Sequence, residues 1–132
     1  MHKEVVKYTD YNGVEKTGEY YFNLNKAELL KLENSVQGGY TAAVKLAIEA
    51  EDQPTVFKAF EELIQMSYGI RTPEGGFKKK PEYYEDFVST EAYSELFWKL
   101  STDSAAGAAF VNGIIPANLA KQLEEEAAKA NN

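Results

Sequence analysis

The 132-residue chain contains no cysteine and a single histidine, His2. Disulfides, thiolate nucleophiles, Cys/His zinc sites and the usual catalytic triads are therefore out of reach. The lack of disulfides fits a reducing cytosol. No apolar run is long enough for a membrane span, and "MHKEVVKYTDYNG" lacks the apolar stretch of a signal peptide. Positive charge is scarce: 14 Lys and Arg against 21 Asp and Glu leave a net charge of -7. Such a chain repels phosphate backbones and anionic membranes, so neither nucleic acid nor membrane is an expected partner. The glycines of "QGGY" and "PEGGF" lack the spacing of a phosphate-binding loop. Nothing here calls for a cofactor, and no enzymatic activity is expected.

What remains is a globular composition, 44% apolar and 27% charged, of a size suited to one domain. The pattern predicts a mainly α chain of the α+β kind, a helical domain with an N-terminal β-hairpin. The single domain spans 1–132, with the hairpin at about 4–22 and the helical part at about 25–119. A polar segment at about 120–132 is expected to fray. "EVVKY" and "TGEYYF" read as paired strands, and Asn12-Gly13 between them suits a type I′ turn, where both central residues take positive φ. Gly18 interrupts the second strand as a bulge would. A lone hairpin is marginal in water, so it should pack on helices or pair with another edge.

The helical part is punctuated by caps and stops. In "LNKAELLKLE", Asn25 and Glu28 form a capping box, with Leu24 and Leu29 as the hydrophobic staple. Leu29, Leu30 and Leu32 supply the buried side of this helix. A second helix at about 41–51, capped by Thr41, carries Val44, Leu46 and Ile48. A third begins near Pro54, with a stripe of Val56, Phe57, Phe60, Leu63, Ile64 and Tyr68, and Gly69 is placed to stop it. Residues 71–81 read as a loop or small hairpin. Helices resume at Pro81, at "STEAYSELFWKL" with Tyr93, Leu96, Phe97 and Leu100 in a stripe, and at "TDSAAGAAFVNG", capped by Thr102 or Asp103. "FVNGIIP" is then a helix end, with Gly113 as its stop and Pro116 beyond.

Few groupings could carry chemistry. The carboxylates Glu49, Glu51 and Asp52, and again Glu124, Glu125 and Glu126, read as solvated helix ends rather than metal or acid–base sites. In "FKKKPEYY", Lys78 to Lys80 with Tyr83 or Tyr84 could contact a single strand of nucleic acid. The plainer reading is a loop followed by a helix whose aromatics face the core. The terminal His2 is expected to be mobile.

Four apolar residues stand out as candidate partner contacts: Trp98, Phe110, Ile114 and Ile115. Trp98 falls off the main stripe of its helix, on the face of Glu91 and Glu95. Either another helix covers it or it anchors a partner, since tryptophan is enriched at binding hot spots. "AAGAAF" offers small side chains that let another helix approach closely. Ile114 and Ile115 follow the Gly113 stop; if the core does not take them they add to an exposed apolar patch. Core burial is the ordinary reading, more so for Ile114.

The ordered set "YFNLNKAELLKLE", a Gly-Gly break, "FEELIQMSYGIRTPEGGF" and "TEAYSELFWKLSTDSAAGAAFVNGIIP" resembles the tail assembly chaperones of tailed phages and prophages of Gram-positive bacteria. The similarity runs from about Val5 to Leu119. It implies a non-enzymatic protein of the host cytoplasm that binds the tape measure protein, keeps it soluble during tail morphogenesis and leaves before the virion is complete. Some such families also make a longer product by frameshifting. Self-association is left open, and the resemblance carries over no catalytic residue. Two other classes compete with it. One is a structural virion component, a head–tail connector or minor tail protein, whose hairpin pairs with neighbouring subunits. The other is a small regulatory or anti-defence protein.

Overall fold

The computed structural model describes residues 1–116. The segment at 120–132 expected to fray, and the carboxylates Glu124 to Glu126, lie outside the described residues. The chain runs β1 (His2–Thr9), β2 (Glu15–Phe22), α1 (Lys26–Glu33), α2 (Tyr40–Glu49), α3 (Gln53–Ser67), β3 (Tyr68–Arg71), β4 (Phe77–Lys78), α4 (Pro81–Val88), α5 (Glu91–Thr102) and α6 (Ser104–Ile114). It is an α+β fold, as its pattern predicts. The four strands form one sheet in the order β1-β2-β3-β4. The hairpin thus gains a third strand, where Tyr21 pairs with Gly69 and Phe22 with Tyr68.

Alternation divides the sheet into two faces. Glu4, Val6 and Phe22 are buried beneath helices, while Lys3, Val5, Lys7 and Glu19 are exposed on the other side. Under the inner face lies one core. Phe22, Phe60 and Phe110 are fully buried there, and Phe110 presents an edge-on contact to Phe22 at 5.2 Å and to Phe60 at 6.1 Å.

Several boundaries follow local chemistry. The Asn25–Glu28 capping box is closed, with bonds of 2.9 and 3.0 Å, and both staple residues, Leu24 and Leu29, are fully buried. Asp52 caps α3, its carboxylate accepting from the Thr55 hydroxyl at 2.7 Å. Asp103 caps α6, accepting from the Ala106 N–H at 3.1 Å.

Other boundaries depart from expectation. The hairpin turn is not type I′: Gly13 alone has positive φ, and Asp10 accepts from the N–H groups of Asn12 and Val14, each at 2.9 Å. The β1–β2 register is unbroken past Gly18, which makes no bulge but leaves room for the Tyr20 side chain that lies across it. Thr41 does not cap α2; Gly39 does, at φ 96°, and the Glu33 carboxylate accepts the Thr41 N–H at 2.7 Å. Leu30 and Leu46 are exposed rather than core-facing. Gly69 is no helix stop. Tyr68 turns directly from α3 into β3, and a Cβ at Gly69 would sit 2.7 Å from the Lys78 carbonyl of β4.

Gly113 does not stop α6 either, because the helix runs on to Ile114. A Cβ at Gly113 would land on the imidazole of His2. His2 is accordingly no mobile terminus: its ring meets Phe110 edge-on at 5.3 Å, and its Nε2–H donates to Glu4 at 2.8 Å.

Candidate interaction surface

The structure separates the four candidate contact residues. Trp98 is 71% exposed, whereas Phe110, Ile114 and Ile115 are buried in the core. The core takes both isoleucines, the ordinary reading of their position, so among the described residues they add to no exposed patch at the end of α6. The proposal of Phe110, Ile114 and Ile115 as partner contacts thereby loses its surface. The reason is the return of the chain: the Leu24 N–H donates to the Ile114 carbonyl at 2.8 Å, which draws the end of α6 under the start of α1. The expectation that another helix covers Trp98 also fails among the described residues. Its position on α5 lies opposite Leu96 and Leu100, which point inward.

Close to Trp98 in sequence begins a row of aromatic rings that composition alone did not mark. Phe57 of α3 lies 6.1 Å from Phe97 of α5, Phe97 lies 6.0 Å from Tyr93, and Tyr93 lies 6.4 Å from Tyr84 of α4. Tyr93 and Phe97 fall four residues apart on one helix face, so their stacking follows from the helical period. Phe57 is 42% exposed, and Phe97, Tyr93 and Tyr84 are half-buried. The row thus spans three helices with one edge in water. The Tyr93 hydroxyl is held above its ordinary pKa, mainly by burial and then by Tyr84 and the charge of Glu61. The sequence signal was present, since Phe57, Tyr93 and Phe97 recur at helical spacing. Spacing places these rings on the core stripe, but it does not show how far the stripe wraps toward solvent.

The charged groups are largely structural. Glu4, buried on β1, accepts from His2 and, at 3.2 Å, from the Lys99 ammonium, fastening β1 to α5. Burial alone would raise its pKa, but the hydrogen bonds from His2 and Lys99 outweigh burial and hold it below the ordinary value. Lys79, from the basic stretch, donates to Glu28 at 2.7 Å and to the Asn23 carbonyl, so it is used as a brace at the start of α1. Asp52 serves as a helix cap. Among the described residues, no group of three or more His, Cys, Asp or Glu is placed to hold a metal ion, and no helix is long and apolar enough to cross a membrane.

No curated protein and no solved structure matches this chain. A family model described as phage tail assembly chaperone matches residues 1–132. That description names no host, so a Gram-positive origin stays an expectation of the resemblance.

Proposed function

Because this chain belongs to the phage tail assembly chaperone family, we propose that it binds the tape measure protein of its own phage and keeps it soluble during tail assembly. The observation that carries this reading is the exposed Trp98 on α5; the half-buried row Phe57–Phe97–Tyr93–Tyr84 on α3, α5 and α4 adds further apolar surface that reaches water. An indole held in water gains most when a partner buries it. A long helical partner offers apolar stripes that suit such a row. The net charge of -7 supports solubility of the complex. The role is one of binding without catalysis, exercised in the cytoplasm of the host, which on the resemblance is Gram-positive. The protein leaves before the virion is complete.

Co-expression tests this. The wild type should raise the soluble fraction of the tape measure protein, and Trp98→Ala should weaken binding by about 2 kcal/mol, the scale of a hot-spot tryptophan. An unchanged affinity in a folded Trp98→Ala variant would remove α5 from the contact surface. No binding by the wild type would remove the chaperone role as stated. Mass spectrometry of purified virions should find the protein absent or far below stoichiometric amounts.

A further inference from the structure

Carboxylates border the exposed rings of α3 and α5, and their placement gives the partner of this surface a chemistry. Resting on the reading that the chain binds its tape measure protein through Trp98, we infer that the bound segment is a helix whose apolar stripe carries lysine or arginine along both edges. Phe97 and Trp98 are successive on α5, so their side chains leave the helix about 100° apart. Ser94, small and exposed, lies between the two, three residues from Phe97 and four from Trp98. The rings therefore border a shallow furrow along α5, with Phe57 of α3 beyond Phe97. Outside the Phe97 border stands Glu61, exposed on α3 and close enough to Tyr93 for its charge to act on that hydroxyl. Outside the Trp98 border stand Glu91 and Glu95, which share the indole's face of α5.

None of these carboxylates joins an ion pair among the described residues. Glu91 stands beside the Tyr11 hydroxyl, which supplies a donor and no counter-charge. The cations of the same two helices are Lys58 and Lys99. Lys99 donates to Glu4, and Lys58 falls about 100° from Phe57 round α3, where Glu61 falls about 40°. Of the lysines that share a surface hollow with Glu95, Lys16 is held by Asp10 at 2.9 Å and Lys7 stands on the outer face of the sheet. A purely apolar helix laid in the furrow would strip water from the carboxylates at its edges and return nothing. Basic residues on both edges replace that water with opposite charge and steer the encounter. Glu91 and Glu95 are about 6 Å apart along the axis, so lysine or arginine at i and i+4 on one edge of the partner matches them. A second copy of this chain fits worse. A two-fold contact through this face would set each carboxylate border against another.

The probe is the tape measure protein of the same phage, co-expressed with two full-length forms of this chain. A tagged variant and untagged wild type compete for it, so the ratio retained reads relative affinity. Glu61→Lys and Glu95→Lys should each weaken binding about 5-fold at low salt, and high salt should shrink that difference. Glu74→Lys, the same change of charge placed in the β3–β4 turn, should have far less effect. Should a reversal disturb the fold, Glu61→Gln and Glu95→Gln take its place, with losses in the same direction. Hydrogen exchange on the wild-type complex should find the protected tape measure segments to be apolar stripes edged by lysine or arginine. Protected segments edged by acidic or uncharged residues overturn the inference. So do reversals at Glu61 and Glu95 that act no more strongly than Glu74→Lys. In both cases the tape measure protein is still bound, and the chaperone reading stands. A wild type that retains none of it removes that reading and the inference together. Self-association of the free chain that Trp98→Ala abolishes would seat a second copy on this face and likewise overturn the inference.

Discussion

Glu4 shows how one residue ties the ends of this chain together. Its carboxylate is buried yet held below its ordinary pKa by donors on β1 and α5. A carboxyl whose folded pKa is depressed stabilises the fold fully above its unfolded pKa, here near the ordinary 4.5, and loses that contribution as pH falls through the lower folded value. Thermal melts should therefore show stability declining below that range, and Glu4→Gln should flatten the decline while lowering stability at neutral pH. Ser101 is the opposite case. Its hydroxyl is buried with no partner among the described residues, so Ser101→Ala should stabilise by about 1 kcal/mol in urea denaturation. Asn25→Ala should cost about 1 kcal/mol through the lost cap. That cap was legible in the sequence because both halves of its box lie within four residues. Gly113 and Gly69 were not, since each is small to admit a group from elsewhere, the His2 ring in one case and the Lys78 carbonyl in the other. A residue's local pattern carries no trace of a neighbour supplied by the far end of the chain.

Helix positions and the presence of the hairpin were readable because the apolar period, Pro54, Pro81 and the caps Asn25 and Asp103 are local signals. Which side of each helix meets water was less so. Leu30 and Leu46 match their helices' apolar spacing and yet are exposed, because among the described residues no neighbouring element comes to cover that side. The small residues of α6 did announce a close crossing. A Cβ at Gly107 would sit 2.8 Å from the Leu100 carbonyl of α5 and 3.0 Å from the Phe60 ring. Gly107→Ala should therefore destabilise by about 1–3 kcal/mol, against the usual gain of alanine in a helix. Equilibrium unfolding measures this directly, and a stabilised variant would show that the two helices part easily. The candidate contact residues divided along the same line. Phe110, Ile114 and Ile115 belong to a segment whose path back to Leu24 no local pattern encodes; the angle of Trp98 away from the main stripe of α5 was legible, but not that the face it lies on stays uncovered among the described residues.

For the molecule as a whole, the placement of Trp98 has an optical consequence. It is the sole tryptophan of the chain and stands 71% exposed. An indole already in water emits at nearly the wavelength of an unfolded chain, so denaturation should move its fluorescence maximum very little even as circular dichroism reports the loss of the helices. A partner that closes over α5 would instead shift the emission toward the blue and shield it from iodide quenching. A large red shift on unfolding would mean the indole is covered in the native protein. With the small shift, the chain carries its own reporter, silent to folding and responsive to whatever docks on that one helix face.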